Sequence, residues 1–269
     1  MKVPILDIQN KKVGEQTLPK QFNEPVREDL IKRAVVFIQS RKRSKYASDP
    51  MAGKRASVRL SKRRHDYRSA YGRGQSRIPR KIVSRRGTQL NFEAAFAPGT
   101  VKGRRAHPPK ATKILATNMN VREYQKAIRS ALAATMDSKY ISKRSHVLPS
   151  HFPFVLSQDF EKINKAKNFS QALHRLGLDK ELIRTKKTKI RAGHGKKRGR
   201  KCIKRKGPLV IVTNDCALLS AGKNLPGVDI ISINGINCEQ LAPGSQAGRL
   251  TLYTETALKI IEKENLFMN

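Results

Sequence analysis

Leu209-Val210-Ile211-Val212 is an unbroken apolar run. A strand with one wet face alternates apolar and polar residues, so four apolar residues in succession predict a strand buried on both faces. A short helix is expected from Asp215, then a second buried strand over Val228 to Ile233, and Thr254 to Glu264 reads as a closing helix.

The same reading extends outward. Val3 to Ile8 and Val13 to Leu18, around Asn10-Lys11-Lys12, predict a hairpin. Pro25 opens a helix to about Arg41, with Val26, Leu30, Ile31, Ala34, Val35 and Ile38 on one face. Asn120-x-x-Glu123 resembles a capping box at the start of a helix through Met136. Its buried stripe is expected to be Val121, Tyr124, Ala127, Ile128, Ala131 and Leu132. Val147-Leu148 and Phe154-Val155-Leu156 are short strand candidates, and Asn168 to Leu176 predicts a helix stopped by Gly177. Strands separated by helices favour an α/β fold: a three-layer sandwich with a mostly parallel, Rossmann-like sheet.

Charge divides the chain more sharply than hydropathy. Fifty-seven Lys+Arg against 20 Asp+Glu give the 269 residues a net charge of +37. Residues 41–113 carry 22 basic and 3 acidic side chains, and residues 184–206 carry 13 basic and none acidic. Residues 1–40 and 114–269 are therefore expected to build one discontinuous body, with 41–113 an extended basic internal loop and 184–206 a second basic segment within the body. Neither segment has the apolar periodicity to offset its own ordering entropy, so both are expected to order on a polyanion. The overall composition, 38% hydrophobic and 6% aromatic without Trp, suits a core for only part of the chain.

A charge this large needs a polyanion to neutralise it, which argues against a free-standing metabolic enzyme. Arginine forks onto phosphates and stacks on bases. The candidate contacts at the start of the long loop are Arg41, Lys42, Arg43, Arg55, Arg63, Arg64 and Arg68. Further along they are Arg73, Arg77, Arg80, Lys81, Arg85, Arg86, Lys102, Arg104, Arg105, His107 and Lys110. In the second segment they are Arg191, Lys196, Lys197, Arg198, Arg200 and Lys201. Tyr67, Tyr71, Phe92 and Phe96 are either stacking platforms or local packing anchors. Mixed Gly, Arg and aromatic residues suit the irregular surface of folded RNA better than a uniform DNA groove.

Other chemistry is poorly supported. Gly72-Arg73-Gly74 and Gly193-His194-Gly195 lack the strand–GxGxxG–helix context of a dinucleotide site, and no GK[ST] follows Gly193. His146 and His151, five apart around Pro149, are weak metal ligands; Cys216 and Cys238 read as small core residues and Cys202 as incidental. Asp159 with Glu161, and Asp215, read as acids at helix N-termini. No cofactor, metal or catalytic set is expected. Three cysteines without CxxC spacing, no apolar N-terminal signal region and no run near the roughly 20 residues that cross a bilayer fit a reduced intracellular protein. The alternatives are an RNA-processing or RNA-modifying factor with basic tethers, and a nucleic-acid-compacting protein.

Several blocks resemble one family. Ala70-Tyr71-Gly72-Arg73-Gly74-Gln75-Ser76-Arg77-Ile78-Pro79-Arg80 and Lys102-Gly103-Arg104-Arg105-Ala106-His107-Pro108-Pro109-Lys110 are similar to signatures of the fourth protein of the large ribosomal subunit, archaeal and eukaryotic type. The likeness continues through Ile128 to Thr135, Arg191 to Arg200, Lys223 to Asp229, Leu241 to Gly244 and Gly248 to Thr251. Without the long basic C-terminal extension of eukaryotic members, the chain has the archaeal size.

This resemblance implies a structural, non-enzymatic constituent of the cytoplasmic large ribosomal subunit that takes part in subunit assembly. The body would sit on the outside of the subunit and both basic segments would contact large-subunit rRNA. The tip of the long loop, Tyr71, Gly72, Arg73, Gly74, Gln75, Ser76 and Arg77, would line the constriction of the polypeptide exit tunnel. The implied partners are rRNA, neighbouring ribosomal proteins and the nascent chain, with no membrane and no homo-oligomer. Cys202 and Gln75-Ser76 depart from the family pattern, which leaves the tip's side-chain contacts open.

Overall fold

A computed structural model of the chain describes residues 1–66 and 69–268. In chain order the elements are β1 (Lys2–Leu6), β2 (Lys12–Thr17), α1 (Glu28–Lys42), β3 (Arg80–Arg86), β4 (Gln89–Ala94), α2 (Val121–Ala134), α3 (Ser138–Lys143), β5 (Val155–Leu156), α4 (Ala166–Arg175) and α5 (Asp179–Lys186). They continue with β6 (Thr188–Ile190), α6 (His194–Lys197), β7 (Cys202–Lys204), β8 (Leu209–Val212), α7 (Leu218–Ala221), β9 (Asp229–Ser232), α8 (Cys238–Leu241), β10 (Thr251–Tyr253) and α9 (Glu255–Lys263). The chain divides into two compact units, Met1–Lys42 with Ala116–Asn269, and Arg43–Leu115.

In the first unit β8 is the middle strand of a parallel sheet ordered β10-β8-β9. Its side chains alternate between two apolar clusters, as the two-residue period of a strand requires. Leu209 and Ile211 join Ile31, Val35, Ile128, Leu132 and Leu258 in one cluster. Val210 and Val212 join Phe160, Phe169, Leu173 and Leu218 in the other. Burial of each such side chain contributes about 1.5–3 kcal/mol. A second sheet, ordered β2-β1-β5, pairs β1 with β2 antiparallel and with β5 parallel. A parallel bridge, Leu156 to Thr254, links the two sheets.

The fold is therefore mixed α/β with small sheets. Among the described residues β9 pairs only with β8, so it is an edge strand whose residues are half-buried, not the second buried strand expected over Val228 to Ile233. Val147 and Leu148 form no strand, because the Val147 N–H is given to the Glu181 carboxylate at 3.1 Å. Val121 lies on the first turn of α2 and is 71% exposed, outside the buried stripe. Asn120 occupies the N-cap position of α2 without a side-chain cap, and Glu123 pairs instead with Arg33 at 2.8 Å. Functioning caps occur at Asp137, which accepts from Lys139 N–H in α3, and at Thr254, which accepts from Ala257 N–H in α9.

Asp159 and Glu161 do lie in the first turn of a short 3-10 helix, Gln158–Lys162. Glu161 has a further task. Buried, it accepts the hydroxyls of Thr213, Thr254 and Thr256 and the Thr213 N–H, tying that turn to the ends of β8 and β10 and the start of α9.

Candidate nucleic-acid interface

Arg41 and Lys42 belong to the last turn of α1, where cations complement the helix dipole. Arg41 lies over the Phe37 ring at 4.4 Å and Lys42 pairs with Glu239. The helix thus carries these two candidate contacts on the body, and the Arg43–Leu115 unit begins just after them.

Within that unit β3 and β4 form an antiparallel hairpin turning at Gly87-Thr88, with Arg85 Nε on the Gly87 carbonyl at 3.0 Å. An antiparallel bridge between Arg59 and Arg80 lays the Val58–Leu60 stretch beside the start of β3. Two glycines permit close backbone approach: a Cβ on Gly53 would land on the Gly103 carbonyl, and one on Gly103 would land on the Ala97 oxygen. Gly72 and Gly74 differ, having open space around them but positive φ of +71° and +67°, so they serve the turn at Tyr71–Gly74.

Three carboxylates cannot neutralise the 22 cations of residues 41–113. Asp49 pairs with Arg55, Asp66 with Arg59 and Glu93 with Lys81. Arg43, Arg63, Arg64, Arg73, Arg77, Arg85, Arg86, Lys102, Arg105, His107 and Lys110 are exposed, while Arg80, Lys81 and Arg104 are half-buried. Arg68 and Tyr67 lie outside the described residues. Tyr71 is held within its own unit: the guanidinium of Arg77 sits 4.5 Å and that of Arg64 5.0 Å from its ring centroid. Phe92 is half-buried opposite Ile82 in the hairpin. Phe96 is half-buried at a φ of +65°.

The second basic segment is a ribbon, β6 against β7, joined through α6 and two positive-φ glycines, Gly193 and Gly199. Arg191 donates from Nε to the Arg200 carbonyl at 3.0 Å. Lys196, Lys197, Arg198, Arg200 and Lys201 are exposed and Arg191 half-buried. Cys202 is exposed on β7; Cys238 is buried in the core and its thiol pushed up to about 12 by burial, while Cys216 is half-buried.

The root of the ribbon is held by residues that patterning did not single out. Arg184 forks onto Glu181 at 2.6 and 2.7 Å and donates to the Lys206 carbonyl at 2.8 Å, closing the segment's two ends together. Burial works against ionisation of Glu181, but the hydrogen bonds from Arg184 and His146 hold its carboxyl at about 2. His146 donates from Nδ1 to Glu181 at 2.7 Å, and burial pushes its own value down, so it is a buried structural histidine and not half of a metal pair with His151. Arg249, 1% exposed, binds the Gly207 and Gln240 carbonyls and Asp229, which also pairs with Lys206. The only signal for these anchors was a lone acid beside the cationic run. Among the described residues no three His, Cys, Asp or Glu side chains are placed to hold a metal ion, and no helix is long and apolar enough to cross a membrane.

A mixed α/β body and two acid-poor cationic segments have the charge distribution of the ribonucleoprotein class. Comparison with known proteins gives the family. Residues 16–264 match the model of the ribosomal protein L4/L1 family, and the chain belongs to that family. It is 44% identical over 268 residues to the large ribosomal subunit protein uL4 of Nanoarchaeum equitans, covering 99% of this chain and 100% of the relative. It is also 40% identical over 266 residues to the protein of the same name from Methanococcus aeolicus, covering 98% and 99%. To that from Archaeoglobus fulgidus it is 37% identical over 265 residues, covering 97% and 98%. The family is structural and not enzymatic, so the chain is a ribosomal protein and not an enzyme.

Proposed function

We propose that the chain is a folded anchor with two RNA-penetrating arms. It is a structural constituent of the large ribosomal subunit and resides with that subunit in the cytoplasm. Residues 41–113 and 184–206 bind large-subunit rRNA and support subunit assembly. The tip at Tyr71–Arg77 lines the nascent-polypeptide tunnel, and the body adjoins neighbouring ribosomal proteins as a single copy. The body is a three-layer sandwich, a reading supported by the division of β8 side chains between two clusters with helices in each.

The observation that carries the RNA reading is the concentration of 35 basic and only 3 acidic residues in 41–113 and 184–206. Each neutralised phosphate releases counterions, with a log–log salt slope of roughly 0.7–0.9 per contact. Titration of full-length protein with large-subunit rRNA at increasing salt should therefore give a steep slope; a flat one would remove the arms as the main contact. Photocrosslinkers at 71–77 should capture the nascent chain in stalled ribosomes. Crosslinks from the body but none from 71–77 would overturn the tunnel role.

A further inference from the structure

The Arg43–Leu115 unit contains a pocket of about 220 Å³, far beyond the roughly 10–15 Å³ that one water needs. Its location follows from the backbone. The Arg59–Arg80 bridge brings Leu60 beside the start of β3, and the 69–75 segment contributes Ser69, Ala70, Arg73 and Gln75 to the lining. Its apolar lining is Leu60, Ile78 and the cross-strand pair Ile82 and Phe92. Arg59, Arg73 and Arg80 also line it, the Arg59 guanidinium lying 3.4 Å from the Asp66 carboxylate.

Two features point to an occupant. Arg80 Nε is buried and has no hydrogen-bond partner among the described residues, although the same guanidinium donates through Nη2 to the Ser76 carbonyl and hydroxyl at 2.9 and 3.1 Å. A buried, charged N–H without an acceptor is costly, and so is an apolar wall with nothing packed on it. A free phosphate would answer the first and leave the wall bare. An apolar peptide would cover the wall and leave Arg80 Nε unmet. A paired RNA helix presents phosphates, but its base faces are stacked away. An unpaired nucleotide brings a flat apolar ring and an anion on one short linkage.

We propose that this pocket receives one nucleotide extruded from the large-subunit rRNA. Its base lies on Ile78, Ile82 and Phe92, and its phosphate meets Arg59, Arg73 and Arg80. Ser57 and Gln75 at the pocket are the polar groups available to the base edge. The inference rests on the reading of 41–113 as an rRNA-binding arm.

The test uses full-length protein bound to large-subunit rRNA transcript, with a benzophenone amino acid in place of Ile78. Reverse transcription should stop at one dominant nucleotide, whose base is protected from chemical modification only in the complex. Arg80→Gln should weaken binding about tenfold, the range expected of a single base or phosphate interaction. Ile82→Trp, which obstructs the pocket without changing charge, should abolish the dominant stop and leave the salt slope unchanged. Arg80→Lys carries the test if Arg80→Gln does not fold, and should also lose the dominant stop. Steep salt-dependent rRNA binding by the unmodified protein, with stops scattered or with both variants binding at full strength, overturns the pocket and spares the arm. Loss of all rRNA binding by the unmodified protein sinks both readings. Crosslinking to millimolar nucleoside monophosphates with none to rRNA assigns the pocket to a free nucleotide and overturns the rRNA source.

Discussion

Glu181 has no exposed surface, and its carboxylate is met by Arg184, His146 and the Val147 N–H. Removal of one member of such a buried set strands the others, at a cost of about 3–5 kcal/mol. Glu181→Ala should therefore lower the stability of the body by roughly that amount in urea unfolding, whereas exposed Glu264→Ala should change it by less than about 0.5 kcal/mol. The pH dependence has a definite sign. The folded value of Glu181, about 2, lies below its ordinary 4.5, so its contribution is complete above 4.5 and is lost as pH falls towards 2. His146 is also depressed in the folded state, below its ordinary 6.5, so the unfolded chain takes up the proton first and stability declines as pH falls below 6.5. Urea midpoints measured from pH 8 to 4 should show the upper decline, and His146→Gln should remove it. None of this was legible in the sequence, where His146 offered only a five-residue spacing to His151. The interaction joins residues 35 apart, and only the packing of α5 against the 144–147 segment creates it.

Elements were legible to different degrees, for a physical reason in each case. β8, α2, α4 and α9 have enough apolar periodicity to declare themselves. The strands β3, β4, β6 and β7 do not, because their residues are mostly polar and are held by ladder hydrogen bonds, and α5 does not because charged residues fill most of its eight positions. β10 is only three residues long and becomes a strand by pairing with β8. Gly53 gives an element-scale prediction. With a φ of +72° and the Gly103 backbone against it, Gly53→Ala should disrupt the base of the long arm and weaken rRNA binding, while Gly72→Ala, with open space around it, should weaken binding less. Filter binding of both variants at one salt concentration compares them. The ribbon gives another: replacement of Lys196, Lys197, Arg198, Arg200 and Lys201 by Gln should reduce the salt slope by roughly 0.7 for each phosphate no longer neutralised. The unfolding midpoint should be unchanged, since these side chains are exposed and pack on no core.

For the whole molecule, the +37 charge is a property of two segments and not of the body. The body's apolar clusters draw on both ends of the chain, from Val3 in β1 to Ile261 in α9. Hydrogen exchange of isolated protein should therefore show protection confined to the body, with fast exchange in 41–113 and 184–206, and protection of both segments on addition of rRNA. Protection of both without RNA would contradict ordering by the partner.

Composition and periodicity by themselves determined that this protein has an α/β body and two cationic segments, because charge density and apolar repeat are local properties of a chain. The motif blocks were equally local, and they pointed to the family. Tertiary structure alone decided which acids hold the roots of the segments, why Tyr71 is covered by its own arginines, where β9 meets solvent, and which distant residues line one pocket beside β3. Those are meetings of residues distant in sequence, and the partners become neighbours only when the chain has closed.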